Sequence, residues 1–149
     1  KNADIIVTFD ADGQFKAKEI KEVIAPIREG KVDVVLGSRF LGKALNIPKL
    51  KKLMLKLGIF VVFFMYGIRV SDSQCGFRAL SRKAAEIIDI SSDRMEHAGE
   101  IFSEIMKHKL KYMEVPITVI YDKYSLEKGQ NWTRSFNLGL RMLFRRMVR

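Results

Sequence analysis

Asp10 and Asp12, two carboxylates two residues apart, close a short apolar run, and this pairing is the feature of the chain best suited to chemistry. The run DIIVTF (4 to 9) is rich in Ile and Val and stops abruptly at DADG, so it reads as a buried strand ending in an acidic turn. The end of such a strand is where an open parallel α/β sheet places its ligands. Two carboxylates at this spacing can face one hard cation, Mg²⁺ or Mn²⁺, which keeps positions open for phosphate oxygens. The same residues also describe a solvated acidic turn closed by Gly13; the apolar strand upstream moves the reading towards a site.

The elements that would position these residues follow from periodicity. Ile20, Val23, Ile24 and Ile27 lie on one helix face, with Gly30 as a C-terminal stop, and VDVVLG (32 to 37) is a second strand. Together they predict a β-α-β unit with parallel strands, hence an α/β fold. A loop over 38 to 48 should lead into a basic-then-apolar helix over about 49 to 66. Residues 70 to 80 (VSDSQCGFRAL) should be extended and end in a short helix, and 96 to 108 should be helical. LKYMEVPITVI (110 to 120) predicts a strand in which Pro116 implies an edge or a bulge. A polar loop containing Gly129 follows. In the last segment, 133 to 149, Phe136, Leu140, Leu143, Phe144 and Met147 recur at helical spacing among five arginines, the profile of an interfacial helix.

Composition narrows the class. The 149 residues, 48% hydrophobic and 30% charged, suffice for one domain. A formal charge of +10 favours anionic partners: phosphates, nucleic acid or an acidic membrane surface. Aromatic residues lie in apolar segments and are not interleaved with Lys and Arg on an exposed face, which argues against nucleic acid. Cys75 is the single cysteine, so no disulfide framework or thiol cluster exists within the chain, and it is expected to pack inside a strand. His97 and His108 are too isolated to be metal ligands. No signal peptide is visible, and the apolar stretch Leu57 to Ile68 is shorter than the roughly 20 residues of a spanning helix, so a core or interfacial helix is expected.

Four motifs in order resemble the inverting glycosyltransferases of the GT-A fold, and within them the dolichol-phosphate mannosyltransferase and polyprenyl-phosphate glycosyltransferase group. FDADGQF (9 to 15) is similar to the family's DxD segment, VVLGSRF (34 to 40) to its GSR strand and loop, SDSQCGFRAL (71 to 80) to its D-x-x-x-GFR element, and MEVPITVIY (113 to 121) to its EVP strand. The resemblance implies a partial, Rossmann-like GT-A fold. It implies that Asp10, Asp12 and Gln14 organise Mg²⁺ or Mn²⁺ and the diphosphate of a nucleotide-diphosphate sugar. Arg39 and Arg78 would then bring positive charge to phosphates, and Asp72 would lie near a polyisoprenyl phosphate acceptor as candidate general base. Each residue has a plainer reading: Arg39 and Arg78 as surface or strand-end arginines, Asp72 as a turn cap beside Ser71 and Ser73.

Members of that group normally open with a strand and a second acidic motif that bind the nucleoside, and neither precedes Asp4. The expectation is therefore a chain lacking its N-terminal nucleotide-binding half and inactive alone. It would self-associate through the edge of the 4 to 9 strand and sit peripherally on the cytoplasmic face of an anionic membrane. Two other classes share parts of this pattern. A haloacid-dehalogenase-type phosphatase also starts from a strand and DxD, but Gln14 stands where Thr or Val commonly follows the Gly, and its downstream acidic pair is missing. A basic module binding membrane or nucleic acid without catalysis accounts for the charge but not for the ordered motifs.

Overall fold

The computed structural model describes residues 3–10, 12–90 and 97–121. The first strand, β1 (Ile5–Thr8), leads through the acidic turn and a 3-10 turn to helix α1 (Ile20–Arg28), and strand β2 (Val34–Leu45) follows. Helix α2 (Lys49–Tyr66), strand β3 (Arg78–Ser81), helices α3 (Arg82–Ile87) and α4 (His97–Lys107), and strand β4 (Tyr112–Ile120) complete the order. The four strands form one sheet in the order β1-β3-β2-β4.

β3 is antiparallel to both β1 and β2, while β2 and β4 are parallel. β1 and β2 therefore point the same way, as the β-α-β pattern predicts, but they are not neighbours. The crossover through α1 leaves a one-strand gap, and β3, returning after α2, fills it with Thr8 and Leu36 both opposite Arg78. The sheet is thus mixed.

A second correction concerns 38 to 48, expected as a loop. β2 continues to Leu45, because after a break in register Lys43, Ala44 and Leu45 pair again with Thr118, Val119 and Ile120. Between Ser38↔Pro116 and Lys43↔Thr118, the four residues Arg39 to Gly42 stand opposite Ile117 alone. This is a wide bulge on an edge pair, as Pro116 requires: the proline closes the regular ladder on the outer strand. Gly42 permits the bulge, since a Cβ there would overlap the backbone of Ile117.

Both sheet faces are covered, which is why the strands read as nearly continuous apolar runs. On one face Val34, Leu36 and Leu80 pack with Ile101, Phe102 and Ile105 of α4 and with Ile68 and Val70. On the other, Val35, Ala79, Val115, Ile117 and Val119 pack with Val23 of α1, Phe77 and Tyr121. Cys75 belongs to this second core but lies in the turn before β3, not in a strand.

Helix α2 starts and stops where the sequence predicts, with Gly67 in the left-handed region (φ 70°) as its C-terminal cap. Its burial is unusual for so apolar a segment. Leu55 is its one fully buried residue, whereas Leu50, Leu53, Leu57, Phe60 and Phe64 are 56, 54, 40, 62 and 77% exposed. Steps of three and four residues put these five on one stripe. Among the described residues no helix is long and apolar enough to cross a membrane. The predicted basic helix over 133 to 149 and the loop at Gly129 lie outside the described residues.

Candidate active site

Asp72 and Arg39 form the centre of the site. The β2 bulge turns Arg39 inward, where its Nε donates to Asp72 Oδ2 at 2.6 Å and its backbone N–H donates to the same oxygen at 3.1 Å. One Nη donates to the Tyr121 hydroxyl and the other to the carbonyl of Gln74 at 2.9 Å. Asp72 Oδ1 accepts the backbone N–H of Gln74 at 3.2 Å. The pair is buried, with side-chain exposures of 6% for Arg39 and 0% for Asp72. Burial alone would lower the Arg39 pKa, but Asp72, with Tyr121 and Cys75 acting in the same sense, holds the guanidinium above its ordinary value. Burial raises the Tyr121 phenol, against the pull of Arg39.

The turn that carries Asp72 is fixed from β4. Glu114 accepts the Ser71 backbone N–H on both oxygens at 2.8 Å, the Ser71 hydroxyl at 2.9 Å and the Asp72 N–H at 3.2 Å. Ser38 and Ser71 share a hydrogen bond of 2.6 Å between their hydroxyls. Ser38 Oγ also accepts the N–H groups of Phe40 and Leu41, inside the bulge.

The acidic turn is brought against the same loop. Phe9 and Phe15 flank it and both pack on Phe77, with ring centroids 5.1 and 5.6 Å from it. Thr8 Oγ1 donates to the Gly76 carbonyl at 2.8 Å, and a Cβ on Gly76 would overlap Asp10 Oδ2. The missing side chain at Gly76 is what admits the Asp10 carboxylate. Asp12 Oδ1 accepts the Gln14 backbone N–H at 3.1 Å, and Gly13, at φ 82°, makes that turn possible.

Two further cations converge here. Arg78, on β3, is 7% exposed; its Nε donates to the Cys75 carbonyl at 2.9 Å and its guanidinium carbon lies 5.5 Å from the Phe102 ring centroid. Burial lowers its pKa, while Cys75, Asp10 and Asp72 act in the opposite sense. Lys51, in the first turn of α2, stands over the Tyr121 ring at 4.6 Å. Burial and then Arg39 lower its pKa, and Asp12 raises it, so the amine lies within the field of both halves of the site. Among the described residues neither Arg78 nor Lys51 is within ion-pair distance of a carboxylate.

All the residues singled out from the sequence, Asp10, Asp12, Gln14, Arg39, Asp72 and Arg78, therefore belong to adjoining segments. The sequence does not mark Glu114, Tyr121 or Lys51 as site residues. Glu114 carried a signal: a carboxylate inside an apolar strand must find donors or cost several kcal/mol, roughly, if buried alone. Tyr121 and Lys51 carried none, because a phenol ending a strand and a lysine in a basic helix turn are ordinary.

Residues 2–88 match the family model described as Glycosyl transferase family 2. The chain belongs to that family. An uncharacterised protein of Methanocaldococcus jannaschii, MJ1222, is 38% identical over 96% of this chain and 60% of its own length. The UDP-N-acetylglucosamine–dolichyl-phosphate N-acetylglucosaminyltransferase of Methanococcus voltae is 39% identical over 97% of this chain and 59% of its own length. The low-salt glycan biosynthesis hexosyltransferase Agl6 of Haloferax volcanii is 34% identical over 93% of this chain and 33% of its own length. The chain thus spans about 60% of the length of the first two relatives.

Within glycosyl transferase family 2, the mixed sheet is part of a GT-A fold, and the α/β class predicted from the sequence stands. The family 2 match covers the acidic turn, the bulge and the Asp72 loop, whereas Glu114 and Tyr121 lie beyond it. The acidic turn fits a hard divalent cation in its donor set: carboxylate oxygens, one of them admitted by the bare Gly76. Among the described residues no group of three or more His, Cys, Asp or Glu side chains gathers into a closed metal cage. Asp10 and Asp12 would leave the rest of the coordination sphere to water and phosphate.

Proposed function

We propose that the protein transfers a hexose from a nucleotide-diphosphate sugar to a polyisoprenyl phosphate, with inversion and with Mg²⁺ or Mn²⁺ held by Asp10, Asp12 and Gln14. The observation that carries this reading is that, in a family 2 chain, Lys51 lies in the field of Asp12 and Arg39, and Arg78 in that of Asp10 and Asp72, beside the buried Arg39–Asp72 pair. The name of the Methanococcus voltae relative supports the lipid phosphate acceptor, and that of Agl6 the hexose.

The chemistry follows from charge. A departing nucleoside diphosphate gains negative charge, and the bound cation would act on it as a Lewis acid. Arg78 and Lys51, without a carboxylate at ion-pair distance among the described residues, have charge to offer phosphate oxygens. Arg39 has spent three of its five N–H donors on Asp72, Tyr121 and Gln74 and keeps two. Asp72 is the candidate base, but a phosphate acceptor is already ionised at neutral pH, so its larger contribution is to hold Arg39.

The same proposal places α2 on an anionic bilayer surface, at the cytoplasmic side, with the protein peripheral to it. The exposed Leu50, Leu53, Leu57, Phe60 and Phe64 would enter the interface, and exposed Lys49, Lys52 and Lys56 would meet lipid phosphates. Self-association through the outer edge of β1 belongs to this proposal too.

The test is to incubate the protein, extended by the N-terminal nucleotide-binding half that the family resemblance implies, with labelled nucleotide sugars, a short polyprenyl phosphate and Mg²⁺ or Mn²⁺; the 149 residues alone should transfer nothing. Label should pass into an organic-extractable sugar phospholipid, with the anomeric configuration inverted, and chelation should abolish this. Release of label only as free sugar, or full transfer by the Asp10→Asn, Asp12→Asn double variant, would reject the reading.

A further inference from the structure

We infer that Glu114 is a positioning residue for the transfer, the common anchor of the two segments that carry Asp72 and Arg39. The inference rests on the function proposed above. It is carried by the direction of the hydrogen bonds. The Ser71 hydroxyl has one proton, and it goes to Glu114 Oε1. The proton in the Ser38–Ser71 bond must then come from Ser38, leaving the lone pairs of Ser38 to accept Phe40 N–H and Leu41 N–H. A single chain of donors thus runs from the β2 bulge, which aims Arg39, through Ser38 and Ser71 to the Glu114 carboxylate. A second, direct contact runs from that carboxylate to the Asp72 N–H. One anion fixes both halves of the buried pair.

Three donors engage Glu114: the Ser71 N–H, shared between both oxygens, and the Ser71 hydroxyl and Asp72 N–H, both on Oε1. Its place on β4 gives the anchor a rigid base, since Glu114 lies opposite Leu36 in the regular part of the β2–β4 ladder. The Ser71 N–H meets both oxygens, so a donor at either position opposes it. A glutamine of the same shape would turn an N–H₂ towards the Ser71 N–H and set donor against donor.

The experiment compares wild type with Glu114→Gln by two readouts. In transfer assays kcat should fall roughly 10²-fold, as for a misplacement of about 1 Å, with KM for the nucleotide sugar little changed. The Asp72→Asn, Glu114→Gln double variant should lose no more than Asp72→Asn alone, because Glu114 acts through the pair. Independently of turnover, the ¹⁵N-detected Arg39 Nε–H resonance, marked by its short bond to Asp72, should move or broaden in Glu114→Gln although Glu114 does not touch Arg39. If Glu114→Gln fails to fold, Ser71→Ala cuts the hydroxyl relay alone and should move the same resonance. An unmoved resonance, wild-type kcat, or losses that multiply in the double variant would overturn the inference. Absence of any sugar transfer by the wild-type protein extended with its nucleotide-binding half would reject the proposed function instead, and the Arg39 resonance would still decide the role of Glu114.

Discussion

Asp72 Oδ2 accepts from both the backbone and the side chain of Arg39, at 3.1 and 2.6 Å. One oxygen therefore fixes where the bulge places the residue and where its guanidinium points.

Removing this acceptor leaves a buried cation uncompensated. Asp72→Asn should lower unfolding free energy by about 3–5 kcal/mol, measured by urea titration. Arg39→Lys should cost about 2 kcal/mol or more, since an ammonium cannot serve Asp72, Tyr121 and Gln74 from one plane. Equal stability of Arg39→Lys and wild type would contradict the geometry.

Two glycine substitutions should part company. Gly42→Ala forces a methyl onto the Ile117 backbone and should destabilise the fold by about 1–3 kcal/mol or more. Gly76→Ala meets only the mobile end of Asp10, so the melting temperature should hold while Mn²⁺ binding, read by paramagnetic broadening around residues 12 to 14, is lost. Unaltered broadening in Gly76→Ala would remove Asp10 from the cation site.

Burial, with Asp72 adding to it, pushes the Cys75 thiol up to about 12, well above the ordinary thiol range. A thiol reagent at pH 8 should therefore label Cys75 only as fast as the protein opens. The folded state holds the proton more tightly than the unfolded state. Cys75 thus contributes stability that is full below pH 9 and is lost as pH rises through 9 to 12. Cys75→Ala should remove that part of the alkaline decline, as seen in denaturation midpoints across this window.

The stripe on α2 makes the membrane proposal easy to test. Wild-type protein should sediment with anionic vesicles and be released by salt, and Leu53→Gln, Phe60→Gln, Phe64→Gln together should reduce binding by about tenfold or more. These positions are exposed, so the folded fraction should be unchanged by circular dichroism. Undiminished binding would assign the surface elsewhere.

Much of this arrangement is legible in the sequence, for identifiable reasons. The Ile20-Val23-Ile24-Ile27 face and the Gly30 stop define a helix because helical spacing and a left-handed cap are local properties. The Asp10–Asp12 turn is legible because a strand ends there. Register is not local. Nothing in GSRFLGKAL announces that Arg39 to Gly42 bulge against Ile117, so the second half of β2 passes for a loop. The insertion of β3 between β1 and β2 is hidden for the same reason, and so are the approaches of Tyr121 and Lys51 to Arg39. Exposure of the α2 stripe is equally invisible, because an apolar helix reads alike whether its face meets a core or nothing.

The partners of Arg39 come from distant parts of the chain: Asp72 is 33 residues away and Tyr121 82, and Glu114 lies 43 residues beyond Ser71. Closing loops of that length is paid in chain entropy before any contact repays it, so such contacts form late. As the polypeptide emerges, Arg39 and Asp72 are both present long before the end of β4 exists to receive them. The complete site therefore cannot form before β4 has docked beside β2, and peeling back that edge strand removes Tyr121 and Glu114 from it together.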